Sequence, residues 1–246
     1  MKNCFLSCVI LALMLAGTVF ADAQKPDGRH AETTQLQLNG QDTYEIGDVI
    51  SFGSYEQDNN AENGAEPIEW IVLDVQADGS LVLISRYALD AKPYHESYSG
   101  VSWETCMLRR WLNEDFFDAA FSAEEQAKIK TVTLVNEGNP GYRSKGGNAT
   151  DDKVWLLSIN EATGRSGEDK AYSYFKLDSV RTCYPTAYAD AKGELALYNG
   201  GCIWWLRSSG AAYWYAAVVD DAGCVYKAGL FVDRHNGVRP VICVLP

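Results

Sequence analysis

Three adjacent aromatic residues, Tyr213-Trp214-Tyr215, are the part of the sequence best suited to contact a ligand. Successive side chains of a strand alternate between its faces, so three neighbouring rings cannot all be buried on one face. An aromatic ring left in water offers a flat apolar surface that suits a sugar or a protein partner. The polar and aromatic residues that follow are Tyr226, Phe231, Asp233, Arg234, His235 and Asn236. We predict that Tyr213 to Tyr215, Tyr226 and Asp233 to Asn236 bind a ligand. The alternative is that they are ordinary surface and core residues.

Two arginines lie within rows of apolar residues that are typical of buried strands: Arg207 follows Trp204-Trp205-Leu206, and Arg239 follows Gly237-Val238. A planar guanidinium can hold a carboxylate or a sulfate through two parallel hydrogen bonds, which makes both arginines candidate ligand-binding residues. An unpaired buried charge is expensive, and we favour a structural role in which each arginine pairs with an acid. The acids considered are Asp152, Glu161 and Glu69. Trp204 and Trp205 point to opposite sides of a strand, and we expect both in the core.

Residues suited to acid–base or nucleophilic catalysis are sparse. The histidines are His30, His95 and His235. Neither an HExxH nor a GxSxG motif is present. His95 with Glu96, or His235 with Asp233, would make a general acid–base pair, and Cys224 would supply a thiol. Such pairs are common in solvated loops, so we predict no catalytic residue and no cofactor. An envelope hydrolase or oxidase is the alternative.

Two pairs of adjacent aspartates are candidate metal ligands. A calcium-binding loop places its oxygen ligands at regular intervals, whereas Asp151-Asp152 and Asp220-Asp221 lack that spacing. Turn formation explains both pairs, because aspartate side chains readily bond to the backbone of a turn. We predict no metal site.

The N-terminus has the pattern of a secretory signal peptide. Lys2 gives a positive start, an apolar stretch runs from Phe5 to Phe20, and small residues follow at the cleavage site. Cys8 comes too early to serve as a lipid-anchored cysteine. No other apolar run approaches the roughly 20 residues of a membrane span. We predict a signal peptide over residues 1–21, a flexible leader over 22–43, and one secreted, extracytoplasmic domain over 44–246.

Charge and cysteine content restrict the partners. The formal charge is −12, and removal of Lys2 with the signal peptide makes it −13. Phosphate backbones repel so acidic a chain, which argues against nucleic acid as a partner. Without Cys4 and Cys8, the remaining cysteines are Cys106, Cys183, Cys202, Cys224 and Cys243. An odd number leaves at least one thiol without a partner in the chain, and secretion permits disulfides without fixing their pairing.

The hydrophobic pattern predicts strands, then helices, then strands. Strands are expected over 47–53, 66–75 and 80–85, with Asp78-Gly79 as a type I′ hairpin turn. An apolar stripe with a period of about 3.6 follows, from Trp103 to Leu112, and indicates an amphipathic helix. Capping boxes at Ser122 and Ser158 each predict the start of a short helix.

The second half is expected to contain long loops and four further strands. Residues 136–152 and 166–201 are rich in glycine, tyrosine and small polar residues, which is typical of long loops. Strands are predicted over 203–206, 213–219, 224–228 and 238–245. Asp220 to Gly223 and Asn236-Gly237 are the expected turns.

Six blocks occur in an order that resembles a family of secreted bacterial domains of unknown function. They are the segments 47–55, 66–70, 108–122, 152–158, 204–208 and 237–240. That family is similar to the C-type-lectin-like fold of the formylglycine-generating, sulfatase-modifying enzymes and of the variable receptors of diversity-generating retroelements. The resemblance implies a single α+β domain with two main helices, short mixed strands and neighbouring N- and C-terminal strands. It also implies a binding face before Gly237.

The function expected from these features is recognition. We expect a secreted, non-enzymatic domain that binds a carbohydrate or a protein surface, with an enzyme on the same fold or a structural cell-surface component as alternatives. The enzymes of the resembling fold use a reactive cysteine pair in a C-terminal motif. Cys224 and Cys243 lie in that third of the chain without the motif, which argues against oxidase activity.

Overall fold

The computed structural model describes residues 34–35, 43–163, 171–197 and 199–246. The predicted signal peptide, nearly all of the predicted leader, and His30 lie outside the described residues. Thirteen strands are found in the described part of the chain. They are β1 Thr34–Gln35, β2 Val49–Tyr55, β3 Glu66–Val75, β4 Leu81–Ser85, β5 Asp90–Pro93, β6 Val132–Leu134, β7 Thr150–Asp152, β8 Val154–Trp155, β9 Trp204–Ser209, β10 Tyr215–Val219, β11 Val225–Phe231, β12 His235–Val238 and β13 Val241–Val244.

A mixed sheet with the order β1-β2-β3-β4-β13-β8 forms one side of the domain. The predicted hairpin between β3 and β4 is present, but its predicted turn type is wrong. A type I′ turn needs a positive φ at both central residues. Gly79 has a φ of 84°, but Asp78 is not among the residues with a positive φ. The Asp78 side chain instead accepts hydrogen bonds from the backbone N–H and the hydroxyl of Ser80 at 3.0 and 2.6 Å. Gly79 N–H donates to the carbonyl of Gln76 at 2.9 Å, so the turn is a longer loop over residues 76–80.

The second large sheet has the order β11-β10-β9-β12-β5. The predicted strand over 238–245 divides between the two sheets, because Arg239-Pro240 separates β12 from β13. The prediction of a turn at Asn236-Gly237 is wrong, since both residues pair with β5. Gly237 is needed for close packing: a Cβ there would lie 3.0 Å from the Cβ of Ala88 and 3.1 Å from the carbonyl of Ile203.

Five short α-helices are found in the described residues: α1 Met107–Trp111, α2 Phe117–Ala120, α3 Ala123–Lys128, α4 Ile159–Thr163 and α5 Ala187–Gly193. A π-helical turn, Leu112–Phe116, joins α1 to α2, so the predicted amphipathic helix continues beyond Leu112. Both predicted capping boxes form, at Ser122 and between Ser158 and Glu161. α5 lies in a predicted loop; the Thr186 side chain caps it by accepting from the N–H of Ala189.

The two large sheets and the helices enclose a core that is rich in tryptophan. Trp70, Trp103, Trp155, Trp204 and Trp205 are all 2% exposed or less. The fold is α+β, as predicted. β2 and the C-terminal strand β13 belong to the same sheet, with β3 and β4 between them. No helix in the described ranges has both the length and the apolar character that a membrane span requires.

Candidate functional site

Five aromatic side chains gather where β10 begins and β11 ends, and they form what we call the aromatic face. Its members are Tyr98, Tyr213, Trp214, Tyr215 and Phe231. The rings of Tyr213 and Trp214 meet edge to face with centroids 4.2 Å apart. Those of Tyr215 and Phe231 stack at 4.7 Å, and Tyr98 contacts both Trp214 and Phe231. Tyr213 and Tyr98 remain 61% and 56% exposed, so the cluster presents ring surface to water.

The turn between β9 and β10 places Tyr213 and Trp214 at this edge. Gly210 N–H donates to the carbonyl of Tyr215 at 2.7 Å, and Tyr215 N–H donates to the carbonyl of Ala212 at 3.0 Å. A Cβ at Gly210 would lie 2.4 Å from the carbonyl oxygen of Ala228 and 2.5 Å from the Cβ of Tyr215. Only glycine fits so close to β11, and the chain can therefore fold back tightly enough to expose the two rings.

A second loop, residues 94–101, brings Tyr98 to the face. His95 N–H donates to the carbonyl of Val232, and Val101 N–H donates to the carbonyl of Tyr213, both at 2.9 Å. The Tyr213 ring lies against Gly100, where a Cβ would be 2.5 Å from Cδ2 of that ring. The loop is thus fixed at both ends to the strands that carry the other rings.

A third loop, residues 136–148, braces the aromatic turn from behind. The amide of Asn139, a buried side chain, donates to the carbonyls of Ser209 and Lys227 at 2.8 and 2.7 Å. Ser144 Oγ donates to the carbonyl of Gly210, and Ser209 Oγ donates to the carbonyl of Lys145. These hydrogen bonds tie the third loop to the turn and hold the turn in one conformation.

Two charged residues border the aromatic face. A shallow concavity of about 400 Å³ is lined by Tyr98, Phe231, Asp233 and Arg234. Partial burial raises the pKa of Tyr98, and Tyr215, Tyr213 and the Asp233 carboxylate raise it further. The Tyr98 hydroxyl therefore stays protonated at neutral pH. The border offers an O–H donor, a carboxylate acceptor and guanidinium donors beside flat ring surfaces.

The structure brings together some of the sequence-predicted ligand residues and separates others. Tyr213, Trp214 and Tyr215 belong to the face, with Asp233 and Arg234 at its border. Tyr226 is 49% exposed, but no ring contact joins it to the face in the described residues. His235 is exposed at the start of β12, opposite Pro93, whereas Asn236 is only 6% exposed and faces away from water. Tyr98 was not predicted, since its sequence neighbourhood reads as an ordinary polar loop.

Trp204, Trp205 and Arg207 lie inside the molecule, away from the aromatic face. The indole N–H of Trp204 donates to the carbonyl of Arg181 at 3.1 Å, and that of Trp205 to the carbonyl of Lys92 at 2.9 Å. Arg207 forms a two-pronged ion pair with Glu161, one of the three acids considered. Burial alone would lower the pKa of Arg207, but Glu161 outweighs it and raises that pKa.

Arg239 differs from the expectation of an acidic partner. Its guanidinium lies over the rings of Trp204 and Phe175, at 5.1 and 5.9 Å from their centroids. Nε donates to the carbonyl of Ser85 at 2.9 Å, and Nη1 has no hydrogen-bond partner within the described residues. The other two acids are occupied elsewhere, as Asp152 pairs with Arg109 and Glu69 with Arg86.

A second concavity, of about 500 Å³, lies beside α4 and β6. Leu134, Trp155, Glu161, Tyr172 and Arg207 are among its lining residues. The Glu161 carboxylate already accepts from Arg207 and from the backbone N–H of Ser158 at the start of α4. Because these structural contacts engage both of its oxygens, Glu161 is poorly placed to serve as a general base.

One aspartate of each pair makes structural contacts. Asp220 Oδ1 accepts from the backbone N–H groups of Ala222 and Cys224, which closes the turn between β10 and β11. Buried Asp152 accepts from Trp103 and Thr150 in addition to Arg109. These hydrogen bonds use Asp220 Oδ1 and both carboxylate oxygens of Asp152.

Comparison with protein-family models identifies the family of the chain. Residues 78–246, more than half of the chain, match the family model described as Domain of unknown function (DUF6273). The chain therefore belongs to that family. The match includes every member of the aromatic face, whereas β1, β2 and β3 precede it. No curated protein and no solved structure matches the chain.

Proposed function

We propose that this member of the DUF6273 family is a secreted, non-enzymatic recognition domain of C-type-lectin-like architecture that binds a carbohydrate through the aromatic face. The observation that carries this function is the set of contacting rings that stays open to water at one edge of the second sheet. Contiguous exposed apolar surface with a polar border marks a binding site on a soluble protein.

A carbohydrate suits the chemistry of this surface. The C–H face of a sugar ring packs on an indole or a phenol, as apolar surface on a flat ring. Sugar hydroxyls can donate to Asp233 and accept from Arg234 or from the Tyr98 hydroxyl, which stays protonated. The shallow, 400 Å³ concavity is wide enough for a sugar unit or two and leaves the rest of a chain in water.

Recognition without catalysis is supported by the openness of the face. A reaction centre usually excludes water so that its charges act at low dielectric, whereas Tyr213 and Tyr98 are more than half exposed. The hydrogen bonds from Asn139, Val101 and His95 hold the loops in place before any ligand arrives. Such preorganisation lowers the entropy lost on binding.

The test is a glycan screen of the protein with and without calcium, followed by calorimetry on the best ligand. Replacing Trp214 with alanine should weaken binding by roughly thirtyfold, the effect of losing about 2 kcal/mol from a central aromatic contact. Tyr184→Ala is the matched control, because Tyr184 is 49% exposed and lies outside the face. Equal binding by Trp214→Ala and Tyr184→Ala would exclude the aromatic face as the binding site. A screen without hits would indicate that the ligand is a protein.

A further inference from the structure

Two buried cysteines lie directly opposite one another in the fold. Cys183 and Cys202 are partners in an isolated antiparallel bridge, and Cys202 N–H donates to the carbonyl of Cys183 at 2.8 Å. Both residues are 0% exposed, and both are free thiols in the structure. Opposed residues of an antiparallel pair have Cα atoms about 4.5–5.5 Å apart, within the range that a disulfide spans.

The missing side chain of Gly237 leaves room for the Cys202 sulfur. A Cβ on Gly237 would lie 3.2 Å from Cys202 Sγ, so a larger residue there would press on the sulfur. Cys106 and Cys243 are also buried, but neither stands in register with another cysteine in the described strands and bridges. Cys183 and Cys202 are therefore placed to react with each other.

Arg239 sets the electrostatics around the two thiols. It is 1% exposed, and the contacts described above give it aromatic rings and a carbonyl but no carboxylate. Burial by itself raises the pKa of Cys183, but the hydrogen bond with Cys202 and the charge of Arg239 outweigh it and lower that pKa. The same hydrogen bond, together with burial, raises the pKa of Cys202. The positive charge of Arg239 therefore favours negative charge on the Cys183 sulfur.

We propose that Cys183 and Cys202 form a reversible disulfide and that Arg239 shifts the equilibrium towards the dithiol. In the reduced state, the Arg239 guanidinium stabilises negative charge on the Cys183 sulfur. The disulfide is neutral, so the guanidinium loses that interaction when the disulfide forms. Removal of the cation should therefore favour the disulfide.

The reaction balances with oxidised glutathione as the oxidant. The Cys183 thiolate attacks one glutathione sulfur, forms a mixed disulfide and releases one glutathione thiolate. Cys202 then loses its proton, and its sulfur attacks the Cys183 sulfur and releases the second glutathione. The protein loses two protons and two electrons, and one oxidised glutathione takes them up and becomes two reduced molecules.

Peptide mapping tests the pairing. Reduced, denatured protein is refolded in glutathione buffers of increasing oxidised fraction, alkylated and digested with trypsin. Cleavage after Arg181, Lys192 and Arg207 puts the two cysteines on separate peptides, 182–192 and 193–207. We expect these two peptides to appear linked, two hydrogen atoms lighter than their sum, in preference to pairs with Cys106 or Cys243. Unlinked peptides in the most oxidising buffer, or random pairing, would overturn the assignment.

The role of Arg239 is tested by repeating the titration with Arg239→Met and Arg239→Lys. We expect Arg239→Met to form the disulfide at a severalfold lower oxidised fraction, while Arg239→Lys, which keeps the charge, remains near the wild-type value. Arg110→Met removes a charge whose side chain is 65% exposed and should change nothing. An unshifted Arg239→Met midpoint would overturn the electrostatic role. Should that variant not refold, Arg239→Gln also removes the charge but keeps a side-chain donor for the carbonyl of Ser85, and its midpoint decides the same point.

Discussion

Two aromatic runs in the same β-hairpin have opposite environments. Trp204-Trp205, in β9, is completely buried, and each indole N–H donates to a backbone carbonyl. Tyr213-Trp214-Tyr215, at the start of β10, makes its ring contacts with Tyr98 and Phe231 and remains partly in water. Aromatic content alone therefore does not decide burial.

The difference follows from the position of each run in the sheet. β9 has β10 on one side and β12 on the other, and both of its faces are covered: the Tyr94 ring lies 5.6 Å from Trp205, and Arg239 lies over Trp204. The second run begins in the turn after β9, where Gly210 reverses the chain. Rings in such a turn pack on one another rather than in the core. We therefore expect the first run to determine stability and the second run to contact the ligand.

The largest effect is expected from Trp205→Ala. Removal of a fully buried indole leaves a cavity and an unpaired carbonyl at Lys92, so we expect a loss of about 4 kcal/mol of unfolding free energy. Trp214→Ala should cost less than about 1 kcal/mol, since its ring is already partly exposed. Urea denaturation measures both variants. Similar losses would show that the aromatic face is part of the core.

Arg207→Met is expected to lower the unfolding free energy by about 3 kcal/mol. Arg207 and Glu161 are 5% and 7% exposed, and loss of one partner leaves a buried carboxylate without its cation. The double variant Arg207→Met/Glu161→Leu should recover most of the loss, because no charge then remains. A double variant less stable than the single one would show that Glu161 matters mainly through its capping contact with Ser158. Chemical denaturation of wild type, of both single variants and of the double variant gives the coupling free energy between Arg207 and Glu161.

The sequence was sufficient where local pattern decides structure. Two β-rich runs on either side of Asp78-Gly79 predicted β3 and β4, and the spacing of Ser158 and Glu161 predicted the start of α4. Pairing of Arg207 with an acid was also predictable in kind, because a buried cation demands compensation. Each of these predictions uses only the periodicity and the residue types of a short segment of the sequence.

Tertiary packing decided the features that the sequence did not reveal. Gly237 looked like a turn residue, yet its missing side chain makes room for Ala88 and the carbonyl of Ile203. α5 was obscured by glycine and tyrosine around it, although Thr186 provides an N-cap. Tyr98 joins the aromatic face only because its loop is tied to Tyr213 and Val232. The order of strands in space cannot be obtained from such local signals.

Asn139→Ala should have an intermediate effect that reaches both aromatic runs. It removes two hydrogen bonds, one to Ser209 at the end of β9 and one to Lys227 on β11. We expect a loss of about 2 kcal/mol of unfolding free energy and weaker ligand binding, since the aromatic turn loses its brace. Asn63→Ala, at an exposed loop position, is the control for both measurements. Unchanged binding would indicate that the turn keeps its conformation without the third loop.

The smallest effect on stability, and the sharpest separation of the two runs, is expected from Gly100→Ala. The new methyl would lie 2.5 Å from the Tyr213 ring, and that ring must move because the backbone on both sides is hydrogen-bonded. Tyr213 is 61% exposed and can turn into water, so the unfolding free energy should change by less than about 1 kcal/mol. Ligand binding should nevertheless weaken, because the displaced ring no longer meets Trp214 edge to face. Gly141→Ala, whose added methyl meets only ordinary contacts at 3.5 Å, should leave calorimetric affinity and melting temperature unchanged. If Gly100→Ala instead binds as tightly as wild type, Tyr213 contributes no contact, and the ligand must lie over Trp214, Tyr98 and Phe231.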